Sequence, residues 1–210
     1  MKKFLIILML SFFASLVYSQ KADTIYFLNG EQLITSKYSI NVEEGILTYF
    51  NKRNKPKTVG LEFVFSVVDS NNKEKIYFEP TTIENRYYSV ENMRSFIKGE
   101  LYANKHYRSV FPLISGILTG AGSIFVVPSL LGLNVFFSPL VPAANSAAIG
   151  TFNYKENKVK QKHPEYAEDP YFVAGYREVV VQKRITNTIK GGIIGLGLGV
   201  ASVLIINSLK

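Results

Sequence analysis

The sequence predicts an α+β membrane protein, in which a small antiparallel β-meander and one helix precede glycine-rich transmembrane helices. Three observations carry that prediction. From Ser109 to Tyr154 the chain contains no Asp, Glu, Lys, Arg or His, and a second apolar run, Gly191 to Asn207, lies near its end. A run as long as the first needs either a bilayer or a very large core, and 210 residues with polar stretches on both sides do not supply such a core. Between Asp23 and Phe78, by contrast, the apolar period is two, and turn residues separate short β-branched and aromatic segments. Finally, Gly116 and Gly120, and then Gly191, Gly195 and Gly199, recur four apart. That spacing puts each set on one helix face, where backbones approach closely in lipid.

Residues 1–19 have the form of a secretory signal: Lys2 and Lys3, an apolar run from Phe4 to Val17, and Val17 and Ser19 at the small-residue positions before a cleavage site. Residues 20–108 are then an exported β-meander domain ending in an amphipathic helix. Its strands are expected at Thr24–Leu28, Gln32–Ile40, Ile46–Phe50, Thr58–Phe63, Phe65–Asp69 and Lys75–Phe78. Asn29-Gly30 suits a type I′ hairpin turn, and Glu43-Glu44-Gly45, Asn51 to Lys57 and Ser70 to Lys73 mark the later turns. Ser89 can cap a helix reaching Tyr107, and Val90, Met93, Ile97 and Leu101, widened by Phe96, form its apolar stripe. So small a domain without disulfides needs support, and this stripe is expected to cover the open sheet face.

Residues 109–154 read as a membrane-embedded run, divided at Pro128 into a helical hairpin, with Pro112 at the first helix start. The amides of Asn134 and Asn145 must find partners there, since lipid offers none. Residues 155–190 form a polar basic segment, helical from about Pro170, which leads into a C-terminal transmembrane helix, 191–209. Export of the first domain and a hairpin place 155–190 outside. The crowding of Lys183, Arg184 and Lys190 before the last span argues for inside.

No constellation carries catalysis. The formal charge of +8 is too evenly distributed to indicate nucleic acid, and the absence of cysteine excludes disulfides, thiolate metal sites and a lipobox. His106 and His163 lack ligand spacing. Gly195-x-Gly197-x-Gly199 lies inside an apolar span rather than between a strand and a helix, so it is not a phosphate fingerprint. Glu43 and Glu44 are adjacent in a turn and point apart. Arg86-Tyr87-Tyr88 reads as a loop entering the helix, and Lys105-His106-Tyr107-Arg108 as interfacial tyrosine with headgroup-facing cations.

This layout, with Asn29-Gly30, Ser89-Val90-Glu91-Asn92-Met93-Arg94, Gly99-Glu100, Tyr171, Gly175-Tyr176 and Lys183-Arg184 before a glycine-rich span, resembles a group of uncharacterised envelope membrane proteins of Bacteroidota-type bacteria. The resemblance implies the arrangement of segments and brings no activity, cofactor or ligand with it. The expected function is therefore non-enzymatic binding or scaffolding by the exported domain of a protein in the bacterial inner membrane. The alternative is a small oligomeric channel or transporter accessory packed through the helix-packing residues Gly116, Gly120, Gly191, Gly195 and Gly199. The expected partners are the lipid bilayer and either a second copy or another envelope protein; nucleic acid, metal and cofactors are not expected.

Overall fold

A computed structural model describes residues 22–51, 53–83, 85–108, 110–151 and 156–209. The expected signal segment lies outside these. The described chain divides into a β unit ending at Glu79 and a helical unit from Pro80 onward.

In the β unit, alternation builds seven short strands: β1 Asp23–Phe27, β2 Gln32–Thr35, β3 Tyr38–Asn41, β4 Ile46–Phe50, β5 Pro56–Gly60, β6 Val64–Val68 and β7 Glu74–Ile76. They form two antiparallel sheets, ordered β2-β1-β6-β7 and β3-β4-β5. The second is a plain three-stranded meander. In the first, β1 pairs with β6, placing Ile25 opposite Val67, so the sheet closes across most of the unit's length. The segment expected as one strand from Gln32 to Ile40 breaks at Ser36-Lys37, where the Thr35 hydroxyl accepts a hydrogen bond from the Lys37 amide (3.0 Å) and the chain passes from one sheet to the other.

That break gives the apolar faces something to cover them. Ile25, Phe27, Val64 and Val67 of the first sheet and Leu47 of the second make one buried cluster, with Phe27 and Tyr49 rings 6.0 Å apart. The Tyr38 hydroxyl donates to Asp23 Oδ2 at 2.8 Å. Burial, reinforced by that carboxylate, pushes the Tyr38 phenol up to about 12.

The turns are built on the left-handed region. The Asn29-Gly30 turn differs from a type I′ turn, because only Gly30 has positive φ (66°) and the Gly30 amide bonds to Phe27 O. It is a three-residue loop closed by a left-handed residue, a form in which only the last residue needs φ > 0. The same plan recurs at Asn51–Lys55 and Asp69–Lys73, closed by Asn54 (φ 54°) and Asn72 (φ 60°).

The helical unit opens with a hairpin of β8 Thr81–Ile83 and β9 Arg86–Tyr88, turned at Asn85 (φ 62°). Arg86-Tyr87-Tyr88 is thus a strand rather than a loop. Five helices follow: α1 Val90–His106, α2 Phe111–Leu131, α3 Leu140–Thr151, α4 Glu156–Lys162 and α5 Pro170–Ser208. Ser89 caps α1 by accepting from the Asn92 amide (3.2 Å), and Asp169 caps α5 by accepting from Tyr171 and Phe172 amides (both 3.0 Å). Ser95 on α1 hydrogen-bonds to the same Asp169, fastening the two amino ends together.

Pro128 does not divide the embedded run. It lies inside α2, which continues to Leu131 and ends at Gly132 (φ 64°). A proline there removes one amide only a turn before the helix stops, so little of the ladder is lost. The α1 stripe, expected to cover the sheet, is filled inside the helical unit. Its buried face is Met93, Ile97, Gly99, Glu100 and Ala103, packed along α5.

Because Leu47 is fully buried where the two sheets meet, Leu47→Ala should destabilise the β unit by about 3 kcal/mol. Amide exchange in β1 and β4 should accelerate about 100-fold, since each 1.4 kcal/mol is about tenfold. Unchanged protection there would show that the two sheets do not share a core.

Candidate functional site

The described chain's most organised feature is the long helix α5 and what lies along it. At 39 residues it is about 58 Å long, and α1 and α2 run beside it in succession, both parallel to it. The direction follows from the contacts. Gly99 of α1 faces Phe172 and Tyr176, and Gly175 of α5 faces Phe96 and Glu100. Further on, Gly116 faces Thr188 and Gly192, Gly120 faces Gly192 and Leu196, and Gly195 faces Ile117 and Ala121.

At each of these glycines a methyl group would strike the opposing backbone. A Cβ on Gly116 would lie 2.8 Å from Gly192 N, on Gly191 3.0 Å from Ile117 N, on Gly195 2.8 Å from Ala121 N, and on Gly199 2.9 Å from Ala121 O. Gly122 and Gly197, in the same helices, have open space around them. The structure brings together all five glycines singled out by their spacing and puts them in one seam within one chain. It adds Gly99 and Gly175, which spacing did not select because each stands in a mixed-polarity stretch with no other glycine three or four residues away.

The chain returns between α2 and α5 through α3, which is antiparallel to both: Asn145 on α3 donates to Ser115 Oγ (3.0 Å) and Thr119 Oγ1 (3.2 Å) of α2, while Gly150 faces Ile185. With 12 residues, about 18 Å, α3 is shorter than a bilayer span. Polar groups in α3 and in the link before it find partners within the chain. Asn134 accepts from the Phe136 amide (3.0 Å), Ser138 donates to Ser123 O (3.2 Å) and Ser146 to Pro142 O (2.8 Å).

Where α1 passes into α2, charge gathers at the seam. Lys183 Nζ donates to the carbonyls of Ala103 (3.1 Å), Asn104 (2.8 Å) and Tyr107 (3.4 Å) at the carboxyl end of α1, where a cation is favourably placed. Beside this cap, Tyr107, Arg108, Gln182, Lys183, Asn187 and Lys190 line most of a cleft of about 420 Å³. Arg108 and Lys190 are distant in sequence and meet here because α2 and α5 begin their apolar runs at the same level. The lining includes no carboxylate.

One charge sits where hydropathy places none. Glu100 is 4% exposed on α1, against Gly175, and its Oε2 has no hydrogen-bond partner. Burial, with Glu178 as a like-charged neighbour, pushes its carboxyl up to about 8. His106 and His163 flank one ring, Tyr102, at 4.2 and 4.9 Å between centroids. Around Tyr102 stand Tyr166, Phe172 and Tyr176. Among the described residues no three His, Asp or Glu converge into a metal-ligating group. Glu43 and Glu44 are exposed in a turn, their amides bonded to Asn41 Oδ1 (3.1 and 3.2 Å).

Compared with models of known protein families, with curated proteins and with solved structures, the chain shows no significant match.

The seam distinguishes glycines that look alike in the sequence. Gly195→Ala should cost roughly 1–3 kcal/mol through overpacking, whereas Gly197→Ala should be neutral or stabilising by up to about 1 kcal/mol through helix propensity. Melting of the purified protein in detergent measures the difference, and equal shifts would mean the seam is not closely packed. For Glu100, the folded carboxyl holds its proton to higher pH than the unfolded one. Between its ordinary value of 4.5 and about 8 the unfolded state therefore binds fewer protons, and stability falls as pH rises through that window. Glu100→Gln should raise the melting temperature by several degrees at pH 8 and flatten its pH dependence between 5 and 8.

Proposed function

We propose that this is a non-enzymatic bacterial envelope protein, held in the inner membrane by α2 and α5, whose exported β unit binds or scaffolds another envelope component. The observation that carries the membrane reading is the outer surface of these two helices. Both are long and apolar enough to cross a bilayer. Their outward side chains are also apolar and exposed: Leu118 (68%), Leu130 (76%), Ile193 (67%) and Leu204 (65%). A surface of that kind and extent needs lipid or protein against it. Antiparallel α3 carries the chain back, which supports the hairpin reading, in which α4 and the polar half of α5 are on the exported side. Binding through the β unit is supported by its edge strands, which among the described residues are β2 and β7 in one sheet and β3 and β5 in the other. The seam glycines are already occupied within one chain, which favours a tether over a channel assembled through them.

The chain lacks cysteine, so single cysteines at Lys57, Lys158 and Leu209 report sidedness directly. With the outer membrane permeabilised, an impermeant maleimide should label the first two and not the third. Labelling of Leu209 together with Lys57 would overturn the hairpin. A photo-crosslinking residue at Ile34, exposed on the edge strand β2, should give one discrete adduct in cells. Its absence, with the same outcome at Ile76 on β7, would remove the binding role.

A further inference from the structure

We infer that the cleft formed by Arg108, Lys183 and Lys190 binds the phosphate of an anionic lipid headgroup, with the lipid's chains running down the adjoining apolar surface of α2 and α5. The inference rests on α2 and α5 being membrane helices.

The chemistry of the lining selects phosphate. Three cations line it, Arg108 from the link between α1 and α2 and Lys183 and Lys190 from α5, with Tyr107, Gln182 and Asn187 beside them and no carboxylate in the lining. The Lys183 ammonium is spent on the three carbonyls at the end of α1, so its field remains while its donors are committed. Arg108 and Lys190 are exposed and supply the donors. A guanidinium presents paired N–H groups that match two phosphate oxygens, and an ammonium adds a point charge for a third. Helix α2 begins at the cleft, with Val110 in the lining, and its amino end adds positive potential.

The surroundings select a lipid as the source of that phosphate. Below the cleft the surface turns apolar without a break: Val110 (63%), Phe111 (69%) and Ile114 (50%) on α2, and Ile189 (47%) and Ile193 (67%) on α5, are all exposed. A free phosphate ion has no use for that surface. An amphiphile uses both parts, and the position, where both apolar runs begin, is headgroup level. Cations next to a bilayer surface attract anionic lipid by about five-fold each.

The test uses the full chain reconstituted in phosphatidylcholine bilayers containing a trace of spin-labelled phosphatidylglycerol or, in parallel, spin-labelled phosphatidylcholine. Electron paramagnetic resonance gives the motionally restricted fraction of each. The wild type should prefer phosphatidylglycerol by about 25-fold, about five-fold for each of Arg108 and Lys190, and the Arg108→Gln/Lys190→Gln variant should lose that preference while restricting as much phosphatidylcholine as before. Arg184→Gln, an equal loss of charge outside the cleft lining, should keep the preference. No preference in the wild type, or an equal loss in Arg184→Gln, overturns the site. Inorganic phosphate added to protein in detergent provides the second arm. Variant-sensitive broadening of its phosphorus resonance without any lipid preference would make the ligand a soluble phosphate and overturn the lipid assignment. If neither spin-labelled lipid is restricted at all, the membrane reading has failed and the lipid site falls with it.

Discussion

Close backbone contact along one face of α5 is the constraint on which the helical unit depends. Helices pack at about 8–10 Å when side chains separate them, and Gly99, Gly116, Gly120, Gly175, Gly191 and Gly195 remove those side chains at successive points along α5. Two consequences follow. The first is that α1 and α2 must run parallel to α5, because the glycines meet in rising order on both sides. The second is that the intervening chain must return, and α3, antiparallel to both, is that return. A parallel pair with a short antiparallel segment leaves the pair's outer faces exposed, and those faces are almost wholly apolar.

Polar groups within the apolar run are arranged so that none needs lipid. The hydroxyls of Thr119, Ser123 and Ser146 donate to carbonyls of the preceding turn of their own helices. Asn145, which has more donors than its own helix can satisfy, spans to Ser115 and Thr119 of α2. This interhelical bond also sets how far α3 slides along α2. In an apolar medium an unpaired amide is costly, so the position of Asn145 fixes a register that apolar contacts alone would leave loose.

The charged residues follow the opposite logic, being confined to one end of the pair. Lys183 closes the end of α1 and thereby fixes the joint at which α1 passes into α2. Arg108 and Lys190 mark the level at which the apolar runs begin. Glu100 is the exception: a carboxyl enclosed at the Gly99–Gly175 crossing, kept protonated by its burial. It weakens the α1–α5 contact in its ionised form and so makes that crossing the pH-sensitive part of the seam.

The sequence by itself determined the class of most segments, though not the strand at Arg86–Tyr88 or the continuity of α2 through Pro128. Period-two alternation from Asp23 to Phe78 marked the strands of the β unit, Ser89 the start of α1, Pro112 the start of α2, and unbroken apolarity α2 and the second half of α5, because each of these signals is local and acts within a few residues. It selected Gly116, Gly120, Gly191, Gly195 and Gly199, since a spacing of four defines a helix face without reference to a partner. It did not select Gly99 or Gly175, which are defined only by what crosses them. Tertiary structure alone decided that β3 leaves the sheet of β2, that β1 pairs with β6, that the α1 stripe meets α5, and that Arg108 and Lys190 share a cleft. Those outcomes depend on which apolar faces and which polar groups are brought within reach of one another. That is a property of the folded chain as a whole, and no window of neighbouring residues contains it.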